Sequence, residues 1–155
     1  MKTRALLLLC AFAAVVSAGC MTPGGHPGAP TSFRQGQESQ WVVFEVKEGI
    51  TYDETWHKLF ALLAKRFDIE VFSKEEGYIK TAWAGSGTGQ YMDFYHTRAV
   101  AKLSLDGKLL EIKTEAESLS FNPWGGQPSW VSGVDDEVLK TLKTDIMGTL
   151  ARTTR

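Results

Sequence analysis

The chain has 155 residues, 17 Lys and Arg against 18 Asp and Glu, and only 2 cysteines. That length suits one domain with a short appendage. The near-neutral balance, without a long basic run, argues against nucleic acid as a partner.

Lys2 and Arg4 give the start a positive charge, residues 5–16 form an apolar run, and Ser17, Ala18 and Gly19 bring small residues to Cys20. The run is too short to span a bilayer comfortably as a helix and has the order of a secretory signal. This stretch resembles a bacterial lipoprotein signal, with Ser17 standing where leucine is usual. The resemblance implies that residues 1–19 are a leader cut before Cys20, that the Cys20 sulfur receives a diacylglycerol, and that the new amine is acylated. Met21 stands where an aspartate is associated with inner-membrane retention, which implies an outer membrane and a domain facing the periplasm. Cleavage by an ordinary signal peptidase is the alternative. Without the leader, 15 Lys and Arg face 18 Asp and Glu, a net charge of −3 over residues 20–155. Acyl chains, each buried methylene contributing about 0.8 kcal/mol, would then hold the protein on a membrane. Cys10 leaves with the leader and Cys20 carries lipid, so disulfides, a cysteine-zinc site and a cysteine nucleophile all drop out.

Residues 20–40 are rich in Gly, Pro, Ser, Thr and Gln and read as a flexible tether. A single domain is expected over 41–155. Alternation over 41–46 predicts a strand with Val42, Phe44 and Val46 on one face and Trp41, Val43 and Glu45 on the other. Thr51 and Glu54 form a capping box at the start of a helix whose stripe is Trp56, Leu59, Phe60, Leu63 and Phe67, with Leu62 at its edge. Two strands follow, 68–73 and 78–84, around a turn closed by Gly77; Ile69 and Val71 share one face, and Ile79, Thr81 and Trp83 share a face of the partner.

After the 85–89 loop, GSGTG, a long strand is expected over 91–105, with Ala99, Ala101, Leu103 and Leu105 inward and Arg98, Val100, Lys102 and Ser104 outward. Asp106-Gly107 signals a hairpin into 108–117, where Leu110, Ile112, Thr114 and Ala116 face in and Lys113, Glu115 and Glu117 face out. Residues 118–133 read as an aromatic loop. Asp135 then caps a last helix with Val138, Leu139, Leu142, Ile146, Met147 and Leu150 on its apolar side.

The order β-α-β-β-β-β-α predicts a two-layer α+β domain, an antiparallel sheet of about five strands with both helices on one face. In element order over 41–152, carried by 51–67, 68–83 and the closing helix, the chain resembles the helix-grip domains of BamC-like lipoproteins, which accompany the outer-membrane β-barrel assembly machinery. It is also similar to small bacterial lipoproteins in which a helix precedes a phrase like GYIKTAW, here 77–83. The resemblance implies a binding or scaffold role and supplies no catalytic residues.

Candidate chemistry is sparse. The GSGTG loop joins two strands and delivers nothing to a helix start, so it lacks the geometry of a phosphate cradle. His57 and His96, near Asp53 and Asp93, could ligate a metal only if the fold converged them; surface histidines are the plainer reading, and His26 lies in the tether. No GxSxG turn frames a serine, and Glu75-Glu76 and Asp135-Asp136 look like a turn and a cap rather than an acid-base pair. No cofactor motif is present, so neither catalytic nor metal residues are assigned.

The stretch 121–130, FNPWGGQPSW, stands out. Phe121, Trp124 and Trp130 either plug an open end of the core or contact a partner or lipid, and Tyr91, Phe94 and Tyr95 could extend the same patch. The leading expectation is a non-enzymatic, lipid-anchored binding or scaffold module with an envelope protein as partner, aiding outer-membrane assembly. The alternatives are a carrier of a small apolar or lipid ligand held between helices and sheet, and a hydrolase or metal enzyme.

Overall fold

In the computed structural model, which describes residues 29–85, 94–121 and 124–152, the elements run β1 (Phe33–Gln35), β2 (Val42–Glu45), α1 (Tyr52–Ala64), β3 (Ile69–Ser73), β4 (Tyr78–Thr81), β5 (Ala84–Gly85), β6 (Tyr95–Leu103), β7 (Leu109–Ser120), β8 (Ser129–Asp135) and α2 (Asp136–Thr149). Every strand pairing is antiparallel, in the order β1-β8-β7-β6-β4-β3. β2 also pairs with β7 and β5 with β6. This is an α+β fold with two helices and a large antiparallel sheet. The expected count of about five strands is corrected to 8 among the described residues, and the expected order changes with it.

The hydrophobic pattern accounts for the core. Leu59 and Leu63 of α1, Leu142 and Ile146 of α2, and Ile79, Leu110 and Ile112 of the sheet are all fully buried in one cluster. Alternating residues of β6 and β7, among them Ala99, Ala101, Thr114 and Ala116, line the helix-facing side. Thr51 caps α1, its hydroxyl accepting from the Glu54 amide at 3.2 Å. The Glu54 carboxylate turns to Lys58 at 2.7 Å, so only half of the expected capping box forms. Asp135 caps α2 through the amides of Glu137 and Val138 at 2.9 and 3.2 Å. At the other end of α2, the Lys47 ammonium donates to the carbonyls of Gly148 and Thr149, a cation on the negative pole of a helix.

The added strands have distinct causes. β1 falls inside the 20–40 stretch expected to be tether. Its residues carry no alternation of their own; they are held by pairing with β8 from Phe33 opposite Asp135 to Gln35 opposite Gly133, and by an edge-to-face contact of Phe33 with Tyr95 at 5.6 Å. Gly133 allows this approach, because a Cβ there would meet the Phe33 ring at 2.7 Å. β8, with the last residues of β7, occupies much of the expected 118–133 loop.

β4 and β5 are two pieces of one expected strand, separated by a bulge. Ile79 lies opposite Ala101 and Lys80 opposite Val100, but Ala84 lies opposite Thr97, so the register slips by one residue. A slip of one reverses which face each later side chain occupies. Trp83, expected on the same face as Ile79 and Thr81, therefore emerges on the opposite face with Arg98. A second irregularity between Ile69 and Val71 leaves Val71 exposed, contrary to its expected pairing with Ile69. Leu105 sits in the hairpin turn and is 71% exposed, and Met147 lies outside the buried stripe of α2, so neither joins the core as expected. Gly77 closes the β3–β4 turn at φ 63°, and a Cβ there would collide with the Leu103 carbonyl.

Candidate binding surface

The helices cover one side of the sheet, and among the described residues the other side has no layer upon it. Along β6 this open side carries His96, Arg98, Val100 and Lys102; β7 adds Glu111, Lys113, Glu115 and Glu117. These residues do not stand apart as a solvated polar face. The His96 imidazole lies between two indoles, 4.1 Å from Trp130 at an interplanar angle of 16° and 4.2 Å from Trp83 at 32°. The Arg98 guanidinium sits 4.2 Å from the Trp83 ring, within the range of cation–π attraction.

Carboxylates from β7 fix the row from its side. His96 Nε2 donates to Glu117 at 2.9 Å, and Ser132 on β8 donates to the other oxygen of Glu117 at 3.3 Å. Arg98 engages Glu115 through Nε at 2.6 Å and Nη2 at 2.5 Å, while Lys113 reaches the second oxygen of Glu115 at 2.5 Å. Partial burial pushes the Glu115 carboxyl up, but the hydrogen bonds and charges of Lys113 and Arg98 outweigh it, and the group titrates below the usual carboxylate range. Lys113 and Lys102 also lie 5.2 and 4.6 Å from the Trp41 ring, which extends the alternation of aromatic and cation across the face.

A notch in the sheet adjoins this row. β2 pairs with residues 109–112 of β7 and β8 with 116–120, so Thr114 lies in the gap between two strands that share one neighbour. The Ser39 hydroxyl fills part of the gap by donating to the Thr114 carbonyl at 2.5 Å. Trp83, Arg98, Glu115 and Glu117 form one wall of the resulting groove of about 480 Å³, and residues 36–39 form the other. On the helix side of the gap, the buried Thr114 hydroxyl has no hydrogen-bond partner among the described residues.

Of the aromatic residues expected to act together, the structure separates Trp130 from the rest. Trp130 is 44% exposed and belongs to the open-face stack; Phe121, also 44% exposed, packs on Phe94 at 5.9 Å; Trp124 is 94% exposed. Such exposure does not describe a plug in the core, and that alternative is corrected. Tyr95 is buried on the helix side, where its hydroxyl donates to Asp135, and burial followed by that hydrogen bond raises its pKa far above the ordinary phenol value. Cys20, His26, Tyr91, Asp93 and the 86–89 part of the glycine loop lie outside the described residues.

His57 is exposed on α1, its Nδ1 2.6 Å from the Asp53 carbonyl, while His96 sits on the far side of the sheet. Among the described residues, no group of three or more His, Cys, Asp or Glu gathers as a metal site. Glu75 and Glu76 are exposed in the β3–β4 turn, and Asp136 pairs with Arg34 at 3.1 Å. Sequence reasoning did not find Trp41 and Trp83 as parts of a site. The carboxylate pairs were within its reach: counting outward from the Asp106-Gly107 turn sets Arg98 opposite Glu115 and His96 opposite Glu117. Trp83 lay beyond it, because the bulge that turns the indole outward leaves no hydrophobic signature.

No helix among the described residues is long and apolar enough to cross a membrane. A comparison of the sequence with models of protein families finds no match, and a comparison with curated proteins finds none.

Proposed function

We propose that the chain is a lipid-anchored, non-enzymatic binding module of the bacterial cell envelope that presents the open side of its sheet to a protein partner at the outer membrane. The observation that carries this reading is the row Trp130, His96, Trp83 and Arg98, held in place by Glu117 and Glu115 on a side of the sheet that no other layer covers among the described residues. Rigid tryptophan and arginine side chains dominate the energetics of protein interfaces, and here they are ordered before any partner arrives. The lipid anchor rests on the leader pattern ending at Cys20, and a role in outer-membrane assembly rests on the resemblance in element order to BamC-like domains.

Carriage of a small apolar ligand has less support. Leu59, Leu63, Ile112 and Ile146 fill the space between helices and sheet, and the cleft at its end, about 340 Å³, includes Arg66 and Glu137 in its lining.

Site-specific photocrosslinking in cells tests the proposal. A crosslinker at Ser132 on the open side is expected to capture one envelope protein that a crosslinker at Lys140 on α2 does not. Trp130→Ala should abolish that capture while costing no more than about 2 kcal/mol of stability, so that the protein stays folded at the temperature of the experiment. Equal capture from both positions, or capture indifferent to Trp130→Ala, would count against it.

A further inference from the structure

Residues 118–134 contain no charged side chain, a run of 17 in a protein that is 23% charged overall. The run includes the turn between β7 and β8, where Phe121 is half exposed and Trp124 is 94% exposed. Trp124 stands at the end of the sheet opposite the β6–β7 hairpin, beyond the last β7–β8 pair, Ser120 with Ser129. Inserting this tip into an interface between water and hydrocarbon would desolvate no charge of its own, and indole is the side chain best suited to that boundary.

We infer that Phe121 and Trp124 seat in the headgroup layer of the membrane that holds the anchor, so that the domain is fixed by two points and not by its amino end alone. The inference rests on the lipid-anchor reading of Cys20. Tether length permits it. β1 joins the sheet with Phe33 opposite Asp135, six residues along β8 from Ser129, a distance on the order of 20 Å at the rise of a strand. Between Cys20 and Phe33 the chain can extend to about twice that, at most roughly 3.5 Å per residue. Charge does not supply the attraction, because the chain after the leader is net acidic. The contact is therefore hydrophobic and insensitive to salt. Seated in this way, the sheet stands on its β7–β8 turn and holds the open-face row clear of the bilayer for a partner.

Because Cys10 leaves with the leader and the Cys20 sulfur is acylated, an introduced cysteine is the sole reactive thiol of the mature chain. Spin labels at Gln127→Cys in the turn and at Lys108→Cys in the opposite hairpin are read in protein-free vesicles of equal parts phosphatidylethanolamine and phosphatidylglycerol. The label at 127 is expected to lose most of its access to an aqueous nickel chelate, in high salt as in low, while the label at 108 keeps it. Adding Phe121→Ser and Trp124→Ser should return the label at 127 to water while the protein still floats with the vesicles and stays folded. Equal nickel access at both positions overturns the inference, as does protection at 127 that requires other envelope proteins. The anchor is judged separately by the acyl mass on Cys20. Should that mass be absent, attachment at two points falls with the anchor, and labels on a Cys10→Ser, Cys20→Ser chain at high lipid concentration test the seating of the turn by itself, where protection at 127 supports that seating and its absence overturns it too.

Discussion

The Thr81 hydroxyl accepts a hydrogen bond from the Ala99 backbone amide at 2.9 Å, the place an unbroken ladder gives to the Thr81 carbonyl. The neighbouring pairs fix that expectation, since Leu103 donates to the Gly77 carbonyl and Ile79 lies opposite Ala101. One side-chain oxygen thus pairs a buried amide at the bulge that sends Trp83 to the open face. Thr81→Val removes the acceptor and should destabilise the protein by about 1–3 kcal/mol. Thr81→Ser should restore most of it. Urea denaturation of the two variants measures the difference.

The imidazole of His96 between Trp83 and Trp130 predicts energetic coupling across the stack. A double-mutant cycle of His96→Ala with Trp130→Ala should give a favourable coupling of about 0.5–1.5 kcal/mol. Additive effects in the same denaturation experiment would mean that the rings are neighbours without mutual stabilisation.

The depressed Glu115 carboxyl gives the stability an acid limb. Its folded-state pKa lies below the ordinary 4.5, so its contribution is complete above that value and disappears as pH falls through the folded-state pKa. Glu115→Gln should reduce stability at neutral pH and flatten the acid limb. Urea midpoints measured from neutral pH into the acid range test both.

Tyr95 gives an alkaline limb of opposite sign. Its phenol is held above the ordinary 10.0, so stability is unaffected below that pH and declines as the pH rises past it, where the unfolded chain releases the proton and the folded chain retains it. Tyr95→Phe should remove this decline and cost about 1.5–3 kcal/mol at neutral pH, the range for a hydrogen bond to a charged group.

Gly77→Ala should cost more than about 1 kcal/mol, because alanine is strained at φ 63° and its Cβ meets the Leu103 carbonyl. Gly148→Ala, where a Cβ meets no atom, supplies the comparison by thermal melting.

What the sequence made legible is what local physics controls. Alternation in β2, β6 and β7 told the two faces of the sheet apart, though Val100, expected outward, is buried on the open side, and the caps at Thr51 and Asp135 fixed both helix starts. Phe33, Val71, Trp83 and Trp130 were not legible, because an edge strand, two bulges and a ring stack settle their surroundings, and each depends on residues distant in sequence. The candidate surface was half legible. Its charges follow from the hairpin count, but its indoles came into view only once the register slip was known.

Pairing of β1 with the edge of β8 determines how this domain bears load. Among the described residues, a pull from the amino-terminal side is resisted by the bond from the Asp136 amide to the Ser32 carbonyl and then by a strand only 3 residues long on the rim of the sheet. That strand can peel away while the long β6–β7 pair remains intact, a mechanical fuse that gives at the rim before force reaches the hydrophobic interior.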